Sequence, residues 1–278
     1  MTRTRLLAAL IMTPLAIAAV LLLPTPWLVA ITAVVFLAAL WEWFRLAEVE
    51  DTLQRLVLLV ANLALMVALV WASRTQTGGS LVLLWISVVV GVVWWLLALL
   101  WLRHHRFASD HDTHARVFKL AAGTLAVIPA WSALAVIHAG EPDGHRWLLL
   151  ALAMIWAADS GAYFAGRRLG RRKLSPQISP NKTVEGLLGG LAAALLLALV
   201  AAPFAGASLA QLPAVALVAL AATGFSVVGD LFESLLKRHV GVKDSGDLIP
   251  GHGGILDRLD SVLAALPVFA LGKEMAGF

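Results

Sequence analysis

Nine predominantly apolar stretches follow one another along this chain: 6–23, 27–46, 53–72, 80–102, 117–138, 147–165, 183–202, 209–232 and 259–277. A helix rises about 1.5 Å per residue, so each stretch is long enough to cross the roughly 30 Å hydrocarbon core of a bilayer. The expected fold is an all-α polytopic membrane protein with about nine transmembrane helices. Only 14% of the 278 residues are charged, against about 25% in a soluble domain. The first stretch follows Arg3 and Arg5 as the core of a secretion signal would. It is too long for one, and no small-x-small cleavage site precedes Pro24-Thr25-Pro26, so it reads as a retained helix.

Basic residues orient the spans. With the N-terminus in the cytoplasm, 18 of the 21 Lys and Arg fall on the cytoplasmic side, and Arg74, Arg146 and Lys273 fall on the other. Such an asymmetry is the positive-inside pattern, and it places the C-terminus in the periplasm of a bacterial inner membrane. Trp27, Trp41, Trp43, Trp101 and Trp147 lie near span ends, where indole favours the headgroup layer. The formal charge of +4 therefore reads as membrane anchoring, and no nucleic-acid partner is expected. With no cysteine in the chain, any metal must be held by oxygen or imidazole.

Polar residues are unevenly placed. Residues 1–150 form an N-terminal transmembrane region of about five spans with few acids in them, and 151–278 a region of about four spans that carries any catalytic chemistry. In the first region, "RHHRFASDHDTH" (Arg103 to His114) holds four His and two Asp, which could bind metal. The spacing is not that of ligands on a helix, and a solvated loop is the preferred reading.

Three clusters mark the second region, all on the cytoplasmic side. Asp159 and Ser160 sit in an apolar helix ahead of five basic residues, and an unpaired carboxylate there would be costly. "SPNKTVEG" (Ser179 to Gly186) places Ser179 and Pro180 as the N-cap and first residue of a helix, with Lys182 and Thr183 in its first turn. Helix capping and anion binding both explain that string. Gly186 and Gly190 suit close helix packing.

The third cluster is the richest. Asp230, Glu233, Ser234 and Lys237 recur at three- and four-residue spacing, on one stripe of a helix, and Asp257 and Asp260 share a face at the start of the final span. Between them the nineteen residues "KDSGDLIPGHGGILDRLDS" hold four Asp, two basic residues, one His and four Gly. Simple ion pairs, Asp230 with Lys237 or Arg238 and Asp257 with Arg258, would explain part of this. Carboxylates from two helices beside Lys and Arg also suit a magnesium-bound polyphosphate, and hence phosphoryl or nucleotidyl transfer. No Walker loop, GxGxxG, HExxH or GxSxG motif occurs.

"SLLKRHVGVKDSGDLIPGHGGILDRLDS" (Ser234 to Ser261) resembles the signature of the phosphatidate cytidylyltransferase family, the CDP-diacylglycerol synthases. "DSGAYFAGRRLGRRKLSPQISPNKTVEG" (Asp159 to Gly186) is similar to the family's upstream element, departing at Asn181, where lysine is common. The resemblance implies that CTP and phosphatidic acid give CDP-diacylglycerol and pyrophosphate, with magnesium required, a second cation left open, and membrane lipid as substrate. It also leaves a homodimer open.

On this resemblance Asp230 and Asp257 are the expected metal ligands, with Asp260 and Asp159 next. Lys237, Arg238, Lys243 and Arg258 are expected to clamp phosphate, with Asp244, His252 and Asp260 beside them in the catalytic set. His252 is expected to hydrogen-bond. Asp159, Ser160, Lys182, Thr183, Glu185, Ser234, Gly253 and Gly254 are expected to bind substrate. The alternatives are another CTP-using lipid enzyme, such as an isoprenoid-alcohol kinase or archaeol cytidylyltransferase, and an ion-coupled transporter. A transporter would place its charges at the midplane in two related halves.

Overall fold

The structure is a computed structural model that describes residues 2–73, 80–246 and 253–278, the first ten of them as helical backbone alone. Nine α-helices form among these residues: α1 (Thr2–Leu22), α2 (Thr25–Leu46), α3 (Thr52–Ala72), α4 (Val82–Arg103), α5 (Thr113–Ala139), α6 (Gly144–Leu169), α7 (Val184–Ala201), α8 (Leu212–His239) and α9 (Leu256–Ala276). Each predicted stretch lies on one helix. Seven of them, α2 to α8, are long and apolar enough to cross a membrane. The chain is thus an all-α, multi-pass membrane protein. α9 carries Asp257, Arg258 and Asp260 at its start and Lys273 and Glu274 at its end.

Local chemistry sets several helix starts. The Asp51 carboxylate accepts from the amides of Leu53 and Gln54 to cap α3, and Asp112 accepts from Ala115 N at 2.7 Å to cap α5. Before α7 the structure departs from the sequence reading. Ser179–Pro180 does not start a helix: Ser179–Thr183 is a strand, β2, paired antiparallel with β1 (Lys173–Ser175). Thr183 is the cap instead, its Oγ1 accepting from Gly186 N at 3.0 Å. Pro180 is tolerated because a two-stranded hairpin consists of edges only.

α5 and α9 form the interior, while α3 is largely exposed on the lipid-facing periphery. α9 packs against α8, α5, α4, α2 and α6. Phe232 of α8 is fully buried within a ring of tryptophans, its centroid 6.0, 5.7, 5.9 and 5.3 Å from those of Trp43, Trp94, Trp95 and Trp101. Trp95 Nε1 in turn donates to Leu263 O of α9 at 2.9 Å. α6 and α7 meet backbone to backbone. A Cβ on Gly189 would fall 2.2 Å from Ala165 Cβ, and one on Gly190 2.8 Å from Ala158 O.

The connections segregate to two ends. At one, Glu48 after α2 pairs with Lys119 and His111, and His239 at the end of α8 bonds His105 O at 2.7 Å. The hairpin and the start of α9 lie at this end too. At the other, His138 bonds Thr25 Oγ1 and Val20 O, each at 2.9 Å, and Gln211 donates to Gly277 O. The segment 104–112 is a loop, as expected, folded back through the Phe107 ring onto Trp101 and Phe118.

Candidate active site

Between α6, α7, α8 and the first turns of α9, roofed by the hairpin, lies a cavity of about 660 Å³. Its polar wall gathers Asp159 from α6, Lys182 and Thr183 from β2, Asp230, Glu233 and Lys237 from α8, and Asp257 and Asp260 from α9. Tyr163 and Arg167 of α6 line it as well, with Arg167 donating to the Tyr163 hydroxyl at 3.0 Å. Leu187 and Leu191 of α7 and Val227 of α8 make an apolar wall.

The ion pairs are not those the local sequence suggests. Asp230 pairs with Lys182, which comes from the hairpin. Lys237 donates to Glu233 at 2.5 Å and to Asp257 Oδ1 at 2.7 Å, tying α8 to α9. Asp257 Oδ2 accepts from Ser245 N at 3.0 Å, Ser245 Oγ at 2.9 Å and Gly254 N at 2.8 Å. Gly253 has φ of +79°, and a Cβ there would sit 2.8 Å from Asp257 Oδ2. A glycine at this position therefore lets the chain wrap the carboxylate without strain.

Five carboxylates line the cavity, those of Asp159, Asp230, Glu233, Asp257 and Asp260, against three cationic side chains, Arg167, Lys182 and Lys237. Asp230 and Lys182 both act electrostatically on Asp159 and on Asp260, so these four groups share one field. Among the described residues no group of three or more His, Asp or Glu stands close enough to enclose a metal. The residues still fit magnesium, which is commonly held by one or two carboxylates and completes its shell with water and substrate phosphates.

Of the residues expected in the catalytic, substrate-binding and metal sets, seven line the cavity: Asp159, Lys182, Thr183, Asp230, Lys237, Asp257 and Asp260. The others stand outside its lining. Ser160 Oγ donates to Trp156 O, and Glu185 accepts from the amides of Arg171 and Arg172 and from Arg172 Nε, bracing the turn into the hairpin. Arg238 is exposed and donates to Ile178 O, and Lys243, Asp244 and Arg258 are exposed. Ser234 is buried in α8, while Gly253 and Gly254 serve the backbone around Asp257. His252 lies outside the described residues.

Sequence reasoning missed Glu42 and Ser245. Glu42 of α2 is 1% exposed, and its Oε2 accepts from Leu256 N at 2.8 Å and Ser245 Oγ at 3.0 Å. Its signal was an acid inside an apolar span, the same that drew attention to Asp159.

Residues 3–275 match the profile of the Cytidylyltransferase family. Over the whole chain the sequence is 37% identical to the phosphatidate cytidylyltransferase of Pseudomonas aeruginosa, covering 99% of that protein. It is 33% identical to the enzyme of the same name from Haemophilus influenzae, over 97% of this chain and 98% of that one. Against the Bacillus subtilis enzyme the identity is 52% over 45% of this chain and 46% of the other.

Proposed function

The chain belongs to the Cytidylyltransferase family, and from this we propose that the cavity at the hairpin end is where a cytidylyl group passes from CTP to a lipid phosphate. The reaction is CTP plus phosphatidic acid to CDP-diacylglycerol plus pyrophosphate. The observation that carries the site is the convergence of Lys182, Asp230, Lys237 and Asp260, from three separate elements, on one cavity with an apolar wall. A charged headgroup and its acyl chains need both surfaces.

Both reactants are anionic, so repulsion must be offset before they meet. Lys182 and Lys237 face the cavity and neutralise phosphate oxygens there, with Arg167 at the side. A lipid phosphate oxygen attacks the α-phosphorus of CTP, the bond to the bridging oxygen breaks, and pyrophosphate leaves. The lipid phosphate is already a competent nucleophile, so the chain's work is positioning and charge stabilisation. Asp230, with Asp260 and Asp159 near it, would hold magnesium, which when bound neutralises triphosphate charge and orients it.

The sequence reading gave Asp257 a ligand role beside Asp230. Both Asp257 oxygens are taken by Lys237, Ser245 and Gly254. We therefore assign it to holding Lys237 in place. Exposed Arg238 and Lys243 supply positive potential outside the cavity, and exposed Arg258 acts electrostatically on Asp159 in its wall. In this reading residues 151–278 provide the reacting groups and 1–150 the surrounding brace. All nine helices cross a bacterial inner membrane, with the hairpin end in the cytoplasm.

The test uses purified protein in mixed micelles with phosphatidic acid and CTP labelled at the α-phosphorus. Label is expected in the lipid, with one pyrophosphate released per lipid formed. Label remaining in free CDP, with a γ-phosphate transferred instead, would identify a lipid kinase.

A further inference from the structure

We propose that Glu42 is a positioning residue for cytidylyl transfer: its buried carboxylate clasps both ends of the α8–α9 connection and thereby fixes Asp257 against Lys237. The inference rests on the reading of the cavity given above. One end of the connection is held through Ser245 Oγ at 3.0 Å and the other through Leu256 N at 2.8 Å, both on Glu42 Oε2. Ser245 is 3% exposed, and its Oγ lies 2.9 Å from Asp257 Oδ2. The opposite oxygen of Asp257 receives Lys237 Nζ at 2.7 Å. The serine hydroxyl has one proton; with it on Glu42, the Ser245 amide donates to Asp257 Oδ2 at 3.0 Å, and the path of hydrogen bonds runs from α2, through Ser245 and Asp257, to a cation that lines the cavity.

Two features argue that the carboxylate has a task beyond filling space. A buried acid in an apolar helix is costly, and a hydrophobic side chain would pack there without that penalty. The connection is also shaped to reach Glu42. A Cβ on Gly254 would lie 2.1 Å from Glu42 Oε2, and one on Gly246 2.4 Å from Oε1. The backbone comes onto this carboxylate from both sides, as glycine alone permits.

The geometry also separates an acceptor role from a charge role. Glu42 Oε1 has no hydrogen-bond partner among the described residues, so the bonds that matter converge on one oxygen. Glu42→Gln retains an acceptor oxygen at the same reach, whereas Glu42→Asp withdraws it by one methylene. The test compares full-length Glu42→Gln, Glu42→Asp, Ser245→Ala, the Glu42→Asp/Ser245→Ala double variant and Asp257→Asn in mixed micelles. It reads kcat, the KM for phosphatidic acid and thermal stability.

Glu42→Gln is expected to keep kcat within about 3-fold of the parent. Glu42→Asp is expected to lower it by about 30-fold or more with the KM for phosphatidic acid unchanged, since misplacing a reacting group by about 1 Å can cost 10²-fold. The double variant is expected to be no worse than Glu42→Asp alone, because both changes cut one path. A merely structural Glu42 would instead give losses that multiply and follow thermal stability. Multiplicative losses, a Glu42→Gln as impaired as Glu42→Asp, or a Glu42→Asp with parental kcat would each overturn the positioning role. If Asp257→Asn is inactive in the same experiment, the cavity reading survives that failure. A fully active Asp257→Asn would overturn both.

Discussion

Lys182 of the hairpin and Asp230 of α8 form an ion pair across the wall of the cavity. In the proposed reading an incoming triphosphate would offer Lys182 a stronger anion, and a magnesium ion would replace the ammonium beside Asp230. Asp230→Asn is therefore expected to lower turnover by a hundredfold or more, on the order of 3 kcal/mol of lost transition-state stabilisation, with the protein still inserted. If Asp230 served only as the counterion of Lys182, Asp230→Asn would leave the magnesium dependence of turnover unchanged, whereas a ligand role raises the magnesium concentration needed. Steady-state assays of the parent and Asp230→Asn across a magnesium series decide between them.

Segregation of the connections to two ends makes topology measurable. A reporter fused after Lys173 is expected to read cytoplasmic and one fused at Phe278 periplasmic. The two reporting from the same side would show that an even number of the helices α7 to α9 crosses the membrane.

Phe232 fills the space enclosed by Trp43, Trp94, Trp95 and Trp101, which come from α2 and α4. Phe232→Ala leaves a void there, and the expected loss is about 3 kcal/mol or more. Unfolding in mixed micelles measures it. Phe232→Leu should recover part of the loss, since most of the volume returns.

Glu48, between α2 and α3, is a pH-sensitive clasp. Burial acts to raise its carboxyl pKa, but hydrogen bonds and charge from Lys119 and His111 outweigh this and hold it below the ordinary 4.5. A depressed carboxyl stabilises the fold above its unfolded value and loses that contribution as pH falls through the folded one. Thermal stability of the parent should therefore fall more steeply below about pH 4.5 than that of Glu48→Gln. Parallel pH profiles for the two proteins would show that the clasp contributes nothing.

The stretches of hydrophobicity located all nine helices because each is long enough to stand out without tertiary information. The stripe of Asp230, Glu233 and Lys237 was equally legible, since helical spacing alone brings them to one face. The hairpin was not legible. Ser179 and Pro180 satisfy the local rules for a helix start, and the pairing of Ser179 with Ser175 across a turn outweighs them. Nor does a charge in a sequence show which way it points, and Lys243 and Asp244 face solvent although they sit in the densest motif. Glu42 is the harder case: its partners lie more than two hundred residues away, and no local spacing announces them.

α9 is wrapped by α2, α4, α5, α6 and α8, and it has charged residues at both ends. A segment that meets little lipid is held by its neighbours more than by solubility in hydrocarbon, so partitioning from the translocon is a weak guide to when it settles. Its place exists only once the helices around it have been inserted and have found one another. Asp257 and Asp260 travel with it, so the carboxylates of the cavity wall are complete only when the bundle closes.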